Sequence, residues 1–199
     1  MAGDNILTEA KRRAMIDLAI GIVAEGGLGA LTFRSLAAAA GTSTAPFTTE
    51  FGSRENMLEK VIAVVWRRLG IQEGEEDSDD PLETLRVVLR RATPVDTPPS
   101  PEMSAWLDLY VESIHNEALK KSLTEVEAEE HPSYIRLIEK TQAAGQIPDS
   151  LDPEDLLTSL WALGDGLLIG YMLYPEHFTA ERTDRIWEQG FRALIADPA

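Results

Sequence analysis

One short stretch carries most of the hydrogen-bonding chemistry that a duplex nucleic acid would meet: Arg34, Thr42, Ser43, Thr44, Thr48 and Thr49. Hydroxyls donate to and accept from base edges and phosphates, and a guanidinium suits a phosphate. The residues between them say how such groups would be presented. Thr32 has the type of a helix N-cap, and Leu31 and Leu36 stand at the spacing of a hydrophobic staple. Ala37 to Ala40 form helix readily and are small, and Gly41 follows where a helix end needs positive φ. Ser43 or Thr44 then caps a second short helix on which Phe47 and Phe51 recur on one side. Two short helices joined by a tight turn with glycine are the signature of a helix-turn-helix, whose second helix enters the major groove. Arg34 is expected on a phosphate, the five hydroxyl residues toward the groove, and Phe47 in the domain core. For Ser43, N-capping alone is an equal explanation.

A second chemistry is spread over later helices. Trp106, Tyr110 and Ser113 fall on one helix face, and Trp161 and Asp165 on another. Aromatic rings with a few polar groups are what a small-molecule site is made of. Asp165 stands out, because a carboxylate among leucines is costly without a partner. The alternative for each of these residues is an ordinary core position.

Catalysis has little to work with. The chain has no cysteine, and His115, His131 and His177 are scattered. Glu112-x-x-His115 has the spacing of half a di-iron site, but no second such motif accompanies it. Gly164-Asp165-Gly166 is too short for a phosphate loop and sits inside an apolar helix. No enzyme, no metal site and no cofactor is expected.

The elements that must position these residues read as helices throughout. An apolar stripe of Met15, Leu18, Ala19, Ile22 and Val23 predicts a first helix over about 8–25, with Lys11, Arg12 and Arg13 near its start on a solvated or phosphate-contacting face. A helix from Ser53 carries Leu58, Val61, Ile62, Val65 and Leu69 inward. The acidic run 71–81 reads as a linker or mobile loop. Helices then follow at about 81–93, 102–116 and 117–145, the last one helix or two with a break near Pro132, and a proline-rich break lies at 93–101. Asp152-Pro153 is a strong helix start, and Thr179 opens the last helix. The formal net charge of −16 is uneven. Residues 1–70 hold eight Lys/Arg and seven Asp/Glu, a net of +1, so the remainder carries −17. A near-neutral reader argues against strong non-specific affinity for nucleic acid and leaves room for a few placed contacts. No apolar run approaches a membrane span, and MAGDNILTEAKRR lacks a signal-peptide core, so a cytoplasmic location and no membrane partner are expected.

With this layout, the N-terminal third resembles the tetracycline-repressor (TetR) family. The matching residues are Ala19 with Glu25-Gly26, Thr32, Leu36-Ala37 through Ala40-Gly41, Ser43, Phe47, Phe51 and Gly52-Ser53-Arg54-Glu55 with Leu58. The segment Ala162-Leu163-Gly164-Asp165-Gly166-Leu167 is a looser likeness. The reading helix departs from the family pattern at Thr42, Ala45, Pro46, Thr48 and Glu50. The resemblance implies an all-α fold, with a DNA-binding domain over 1–70 and a ligand-binding and dimerisation domain over 71–199. It implies a repressor that binds a double-stranded operator as a homodimer and leaves it when a small-molecule effector binds. The alternative is a degenerate member that mainly binds an effector or a protein and reads DNA weakly, since Glu50 would repel phosphates. The resemblance places the dimer contact on the last two helices. There Leu160, Gly164, Leu167, Trp187, Phe191 and Leu194 offer more apolar surface than one core-facing stripe needs, unless both stripes only close the chain's own core.

Overall fold

The computed structural model describes residues 2–91, 93 and 100–196. Among them the chain is helical, with α1 (Ala2–Gly26), α2 (Phe33–Ala39), α3 (Ala45–Phe51), α4 (Arg54–Leu69), α5 (Pro81–Arg91), α6 (Pro101–Ser113), α7 (Glu117–Ala143), α8 (Pro153–Leu173) and α9 (Ala180–Leu194). Single 3-10 turns occur at Leu28–Ala30 and Glu75–Asp77. The proline-rich break falls largely outside the described residues.

By packing, the chain divides into two compact units, each drawn from separate stretches of sequence. The first unit takes α1 to α3, α4 up to Trp66, α6, and α7 up to Val126. The second takes the residues from Arg67 through α5, α7 from Glu127, and α8 and α9. α6 joins the first unit because it lies along α1. Its buried Met103, Ala105, Trp106 and Leu109 give it an apolar face as full as that of α1. That pairing also sets the phase of α1. The buried face is Ile16, Ala19, Ile20 and Val23, while Met15, Leu18 and Ile22 stay partly exposed. The run 15–23 is apolar at so many positions that two neighbouring stripes satisfy the same period, and the partner helix selects one.

In the second unit, α5, α7, α8 and α9 close around Leu85, Val88, Leu137, Ile138, Leu157, Leu160, Leu167, Trp187 and Phe191. Trp187 and Phe191 stack at 5.0 Å between ring centroids. Here the expected dimer stripe is corrected. Leu160, Leu167, Trp187 and Phe191 are nearly solvent-free within the chain itself. Gly164 is buried, and Leu194 is partly buried against the same cluster. Gly190 does allow a close approach, but to Leu163 of the same chain, whose Cδ2 would lie 2.6 Å from an added Cβ. The apolar surface that remains on α8 lies on its other side, where Ile169, Met172 and Leu173 are 45%, 42% and 64% exposed. α8 is long and apolar enough to cross a membrane by length and composition, contrary to the expectation drawn from unbroken runs. Its Leu156-to-Leu168 face is buried in the chain's own core.

One open alternative is settled and one expectation changes. α7 runs unbroken through Pro132. Ala128 and Pro132 are both exposed, so water can meet the carbonyl that proline leaves without a donor, and Tyr134, Leu137 and Ile138 bury the opposite side. The acidic run is strapped down rather than loose. Glu75 pairs with Arg91, Glu76 with Arg136 at 3.2 Å, and Lys140 donates to the carbonyls of Glu76 and Ser78 at 2.9 and 2.8 Å.

Candidate nucleic-acid interface and ligand site

The turn between α2 and α3 is built from local chemistry. The Thr32 hydroxyl accepts from the Ser35 backbone N–H at 3.0 Å, and the Ser35 hydroxyl accepts from the Thr32 N–H at 2.9 Å, a reciprocal box that ties off the start of α2. At its end Gly41 takes φ 64°, the Thr42 N–H reaches the Ala37 carbonyl at 2.9 Å, and the Gly41 N–H reaches Ala38 at 3.2 Å. These two bonds make a Schellman ending, which turns the chain sharply into α3. The expected hydroxyl cap on α3 is not made. Thr44 holds the N-cap position without a side-chain bond, and Pro46 in the first turn removes one donor that would otherwise need a partner.

α3 then has two faces. Phe47 and Phe51 are buried. Thr48 and Thr49 are exposed, as are Thr42, Ser43, Thr44 and Arg34. The Thr48 hydroxyl donates to the Thr44 carbonyl at 3.1 Å, so outward it offers lone pairs rather than a proton. Glu50 is not a free anion. Its carboxylate accepts from Arg12 at 2.7 Å and from Lys60 at 3.2 Å, and Lys60 also caps the Glu50 carbonyl at 2.9 Å. Burial pushes this carboxyl up, but the bonds and charges of Arg12 and Lys60 outweigh it and hold it below the usual carboxylate range. Arg12 is thereby committed to Glu50 and Glu9. Lys11 and Arg13 remain exposed. Nothing in the spacing of residues 12, 50 and 60 announces this triad, because its members lie on three different helices.

The ligand candidates are divided between the two units. Trp106, Tyr110 and Ser113 belong to the first unit, Trp161 and Asp165 to the second. Trp106 is buried between Trp66 and Tyr110, at 4.8 and 5.4 Å between centroids, and the buried Ser113 hydroxyl donates to the Tyr110 carbonyl at 2.6 Å. Both serve the core of that unit. Trp161 is half-buried and meets two rings that periodicity did not select. Tyr134 stands edge-on at 5.6 Å, and His131 at 5.9 Å. His131 is itself 2.9 Å from Glu154 on the first turn of α8. Asp165, one turn beyond Trp161, has no hydrogen bond or ion pair among the described residues, and burial alone raises its carboxyl above the usual range.

A short capped helix, a tight glycine turn and a second helix with an exposed polar face define a helix-turn-helix regulator. The comparisons with known proteins agree. Residues 15–61 match bacterial regulatory proteins of the tetR family, and residues 81–196, more than half the chain, match the C-terminal domain of BetI-type transcriptional repressors. The chain belongs to the TetR family of bacterial transcriptional regulators. The HTH-type transcriptional regulator BetI of Paraburkholderia phytofirmans is 27% identical over 118 residues, which span 58% of this chain and 60% of that protein. The BetI regulator of Paraburkholderia phymatum is 26% identical over 198 residues, 97% of each chain. Among solved structures, a transcriptional regulator of Saccharomonospora viridis in complex with choline superposes with a TM-score of 0.78 at 21% identity, covering 96% of this chain and 100% of that one. A TetR regulator of Haloarcula marismortui gives 0.76 at 17%, covering 94% and 97%. At these identities the structural likeness is one of fold.

The environment of Asp165 yields a sign that can be checked. Its folded-state pKa is raised, so its contribution favours the fold below the unfolded value of about 3.9 and is lost as pH rises through the folded value. Near neutrality the ionised carboxylate is a cost. Asp165→Asn should therefore raise the denaturant midpoint of the chain near neutral pH, with the gain shrinking as pH falls toward about 4. Equal midpoints for the two proteins at neutral pH would show that the carboxylate is not under strain.

Proposed function

We propose that the chain is a homodimeric repressor that binds a roughly palindromic double-stranded operator through α3 and leaves it when a small organic cation of the choline type binds. The observation that carries the reading is the two-sidedness of α3. Both aromatic residues lie in the core, the hydroxyl residues are exposed, and the one acid is paired with Arg12 and Lys60. The last point removes the main argument for a degenerate, weakly binding member, since a doubly paired glutamate repels phosphates far less than a free one. Arg34 on a phosphate and Thr42, Ser43, Thr44, Thr48 and Thr49 toward the groove remain the contacts we assign. A regulator of this kind works in the cytoplasm, and nothing in its chemistry calls for a cofactor.

The cation class rests on the second unit. The ring of Trp161, flanked by Tyr134 and His131, presents the electron-rich surface that attracts an alkylammonium group, and Asp165 one turn away, which has no ion pair among the described residues, supplies a compensating charge. The choline held by the Saccharomonospora viridis protein is of that chemistry.

For the dimer we assign the outward side of α8, with Ala162, Gly166, Ile169, Met172 and Leu173, in place of the stripe that the core consumes. Small residues let two helices approach, and a two-fold axis would place each patch against its own copy. Such a dimer must hold its reading helices about 34–36 Å apart to meet successive major grooves.

Selection of bound fragments from genomic DNA, followed by sequencing, should return a palindromic site, and Thr48→Asp should weaken binding to that site at least about tenfold by placing a charge against phosphates. Unchanged affinity in that variant would remove α3 as the reader. Ile169→Asp should convert the dimer to monomer in light scattering at micromolar concentration, whereas a monomeric parent chain would refute the dimer outright. Choline should raise the melting temperature of the parent chain and leave that of Trp161→Ala unmoved, since only a ligand bound by the folded state stabilises it. No shift in the parent would exclude the cation class.

A further inference from the structure

Two cations at the end of α3 converge on a single oxygen. Arg12, from α1, donates through Nε to Glu50 Oε1 at 2.7 Å, and Lys60, from α4, donates through Nζ to the same oxygen at 3.2 Å. Lys60 also donates to the Glu50 carbonyl at 2.9 Å and lies over the Phe51 ring, 5.5 Å from its centroid. Arg12 reaches Glu9 as well, through Nη1 at 3.1 Å. All of these residues belong to one compact unit. Their burial is unequal. The Glu50 side chain is 18% exposed, whereas those of Arg12 and Lys60 are 43% and 41% exposed. The acid sits inward of two cations that a polyanion in solvent can reach.

Stability does not explain why an acid stands here. Ion pairs with exposed members contribute little to it, and α3 is already held by the buried Phe47 and Phe51. The chemistry of the donors offers another reason. Arg and Lys meet carboxylate and phosphate oxygens with the same N–H groups. An oxygen that takes donors from both Arg12 and Lys60 occupies the place that a phosphate oxygen would take. Affinity for duplex DNA of any sequence rises with each phosphate neutralised, and what a regulator needs is a high ratio of specific to non-specific binding. Two available cations beside the hydroxyl face would tighten binding to every sequence alike. With Glu50 in place, the charges of Glu9, Arg12, Glu50 and Lys60 cancel.

We propose that Glu50 is a specificity-determining residue that stands in for a phosphate on Arg12 and Lys60. It withholds both cations from the DNA backbone, so that sequence-independent binding stays weak and the exposed hydroxyls of α3 decide where the chain binds. This rests on the reading of α3 as the DNA-contacting helix.

The test measures how binding by the full chain depends on salt. On a mixed-sequence duplex, Glu50→Gln should steepen the slope of log affinity against log salt by about one to two, roughly 0.9 for each phosphate gained. Adding Arg12→Gln and Lys60→Gln to that variant should return the slope to the parent's value. The same two substitutions in the otherwise unaltered chain should move it by less than about half a unit, because cations held by Glu50 release no counterions from DNA. On the selected operator, Glu50→Gln should lower the ratio of operator to mixed-sequence affinity several-fold. An unchanged slope in Glu50→Gln would overturn the proposal, and so would an equal flattening by the two cation substitutions in both backgrounds. Should Glu50→Gln fail to fold, the Arg12→Gln, Lys60→Gln chain decides: a slope flattened by about one unit or more overturns the proposal, and an unchanged one supports it. Immobilised heparin separates this inference from the repressor reading. Glu50→Gln should elute at higher salt than Glu25→Gln, which removes the same charge from an exposed position near the C-terminal end of α1. Equal elution of the two would overturn the masking whether or not the chain binds DNA. A parent chain that binds no duplex fails the repressor reading, and the heparin result then decides whether Glu50 masks the two cations.

Discussion

A helix of two turns cannot hold itself in water. Isolated helices below about 12–15 residues are marginal even when rich in alanine, and α3 spans only Ala45–Phe51. Its existence therefore depends on the burial of Phe47 and Phe51, each worth roughly 1.5–3 kcal/mol when removed from water. Everything around it serves that burial. The Thr32–Ser35 box fixes where α2 starts, the Schellman ending at Gly41 sets the direction in which the chain leaves it, and Lys60 covers the Phe51 ring at 5.5 Å while bonding the last turn of α3. The exposed hydroxyl face is what remains once the aromatic face is spent.

Charge is managed by the same economy of position. The chain as a whole carries −16, and an acidic protein approaching DNA would meet repulsion unless its acids were kept away or neutralised. Most lie outside the first seventy residues. Of those in the acidic run, Glu75 and Glu76 are engaged by Arg91 and Arg136. Glu50, the acid on α3, is engaged twice. Exposed ion pairs contribute little stability, so the consequence of these pairings is chiefly where negative potential is allowed to appear.

α8 illustrates how one helix serves two surfaces. A helix apolar on one stripe closes a core, and one apolar nearly all round needs a second cover. The Leu156–Leu168 side meets the chain's own core, Trp161 meets two rings of α7, and the side bearing Ile169 and Leu173 is largely exposed among the described residues. Asp165 lies between these sides, the one carboxylate in the middle of the helix.

What the sequence determined by itself was local. The N-cap at Thr32, the left-handed Gly41, the burial of Phe47 and Phe51, the Asp152-Pro153 start and the all-helical fold follow from residue types at short spacings, because caps, turns and periodicity are interactions within a few residues of the chain. The family resemblance rested on those same residues, and the family matches bear it out. What tertiary structure decided was which of several locally equivalent faces found a partner. The phase of α1 was set by α6, the stripe read as a dimer contact was consumed by the core, Glu50 was turned to Arg12 and Lys60, and α6 packed along α1 in the same compact unit as α2 and α3. Each of these depends on groups brought together from distant segments, and no spacing along one helix encodes which distant helix will lie against it.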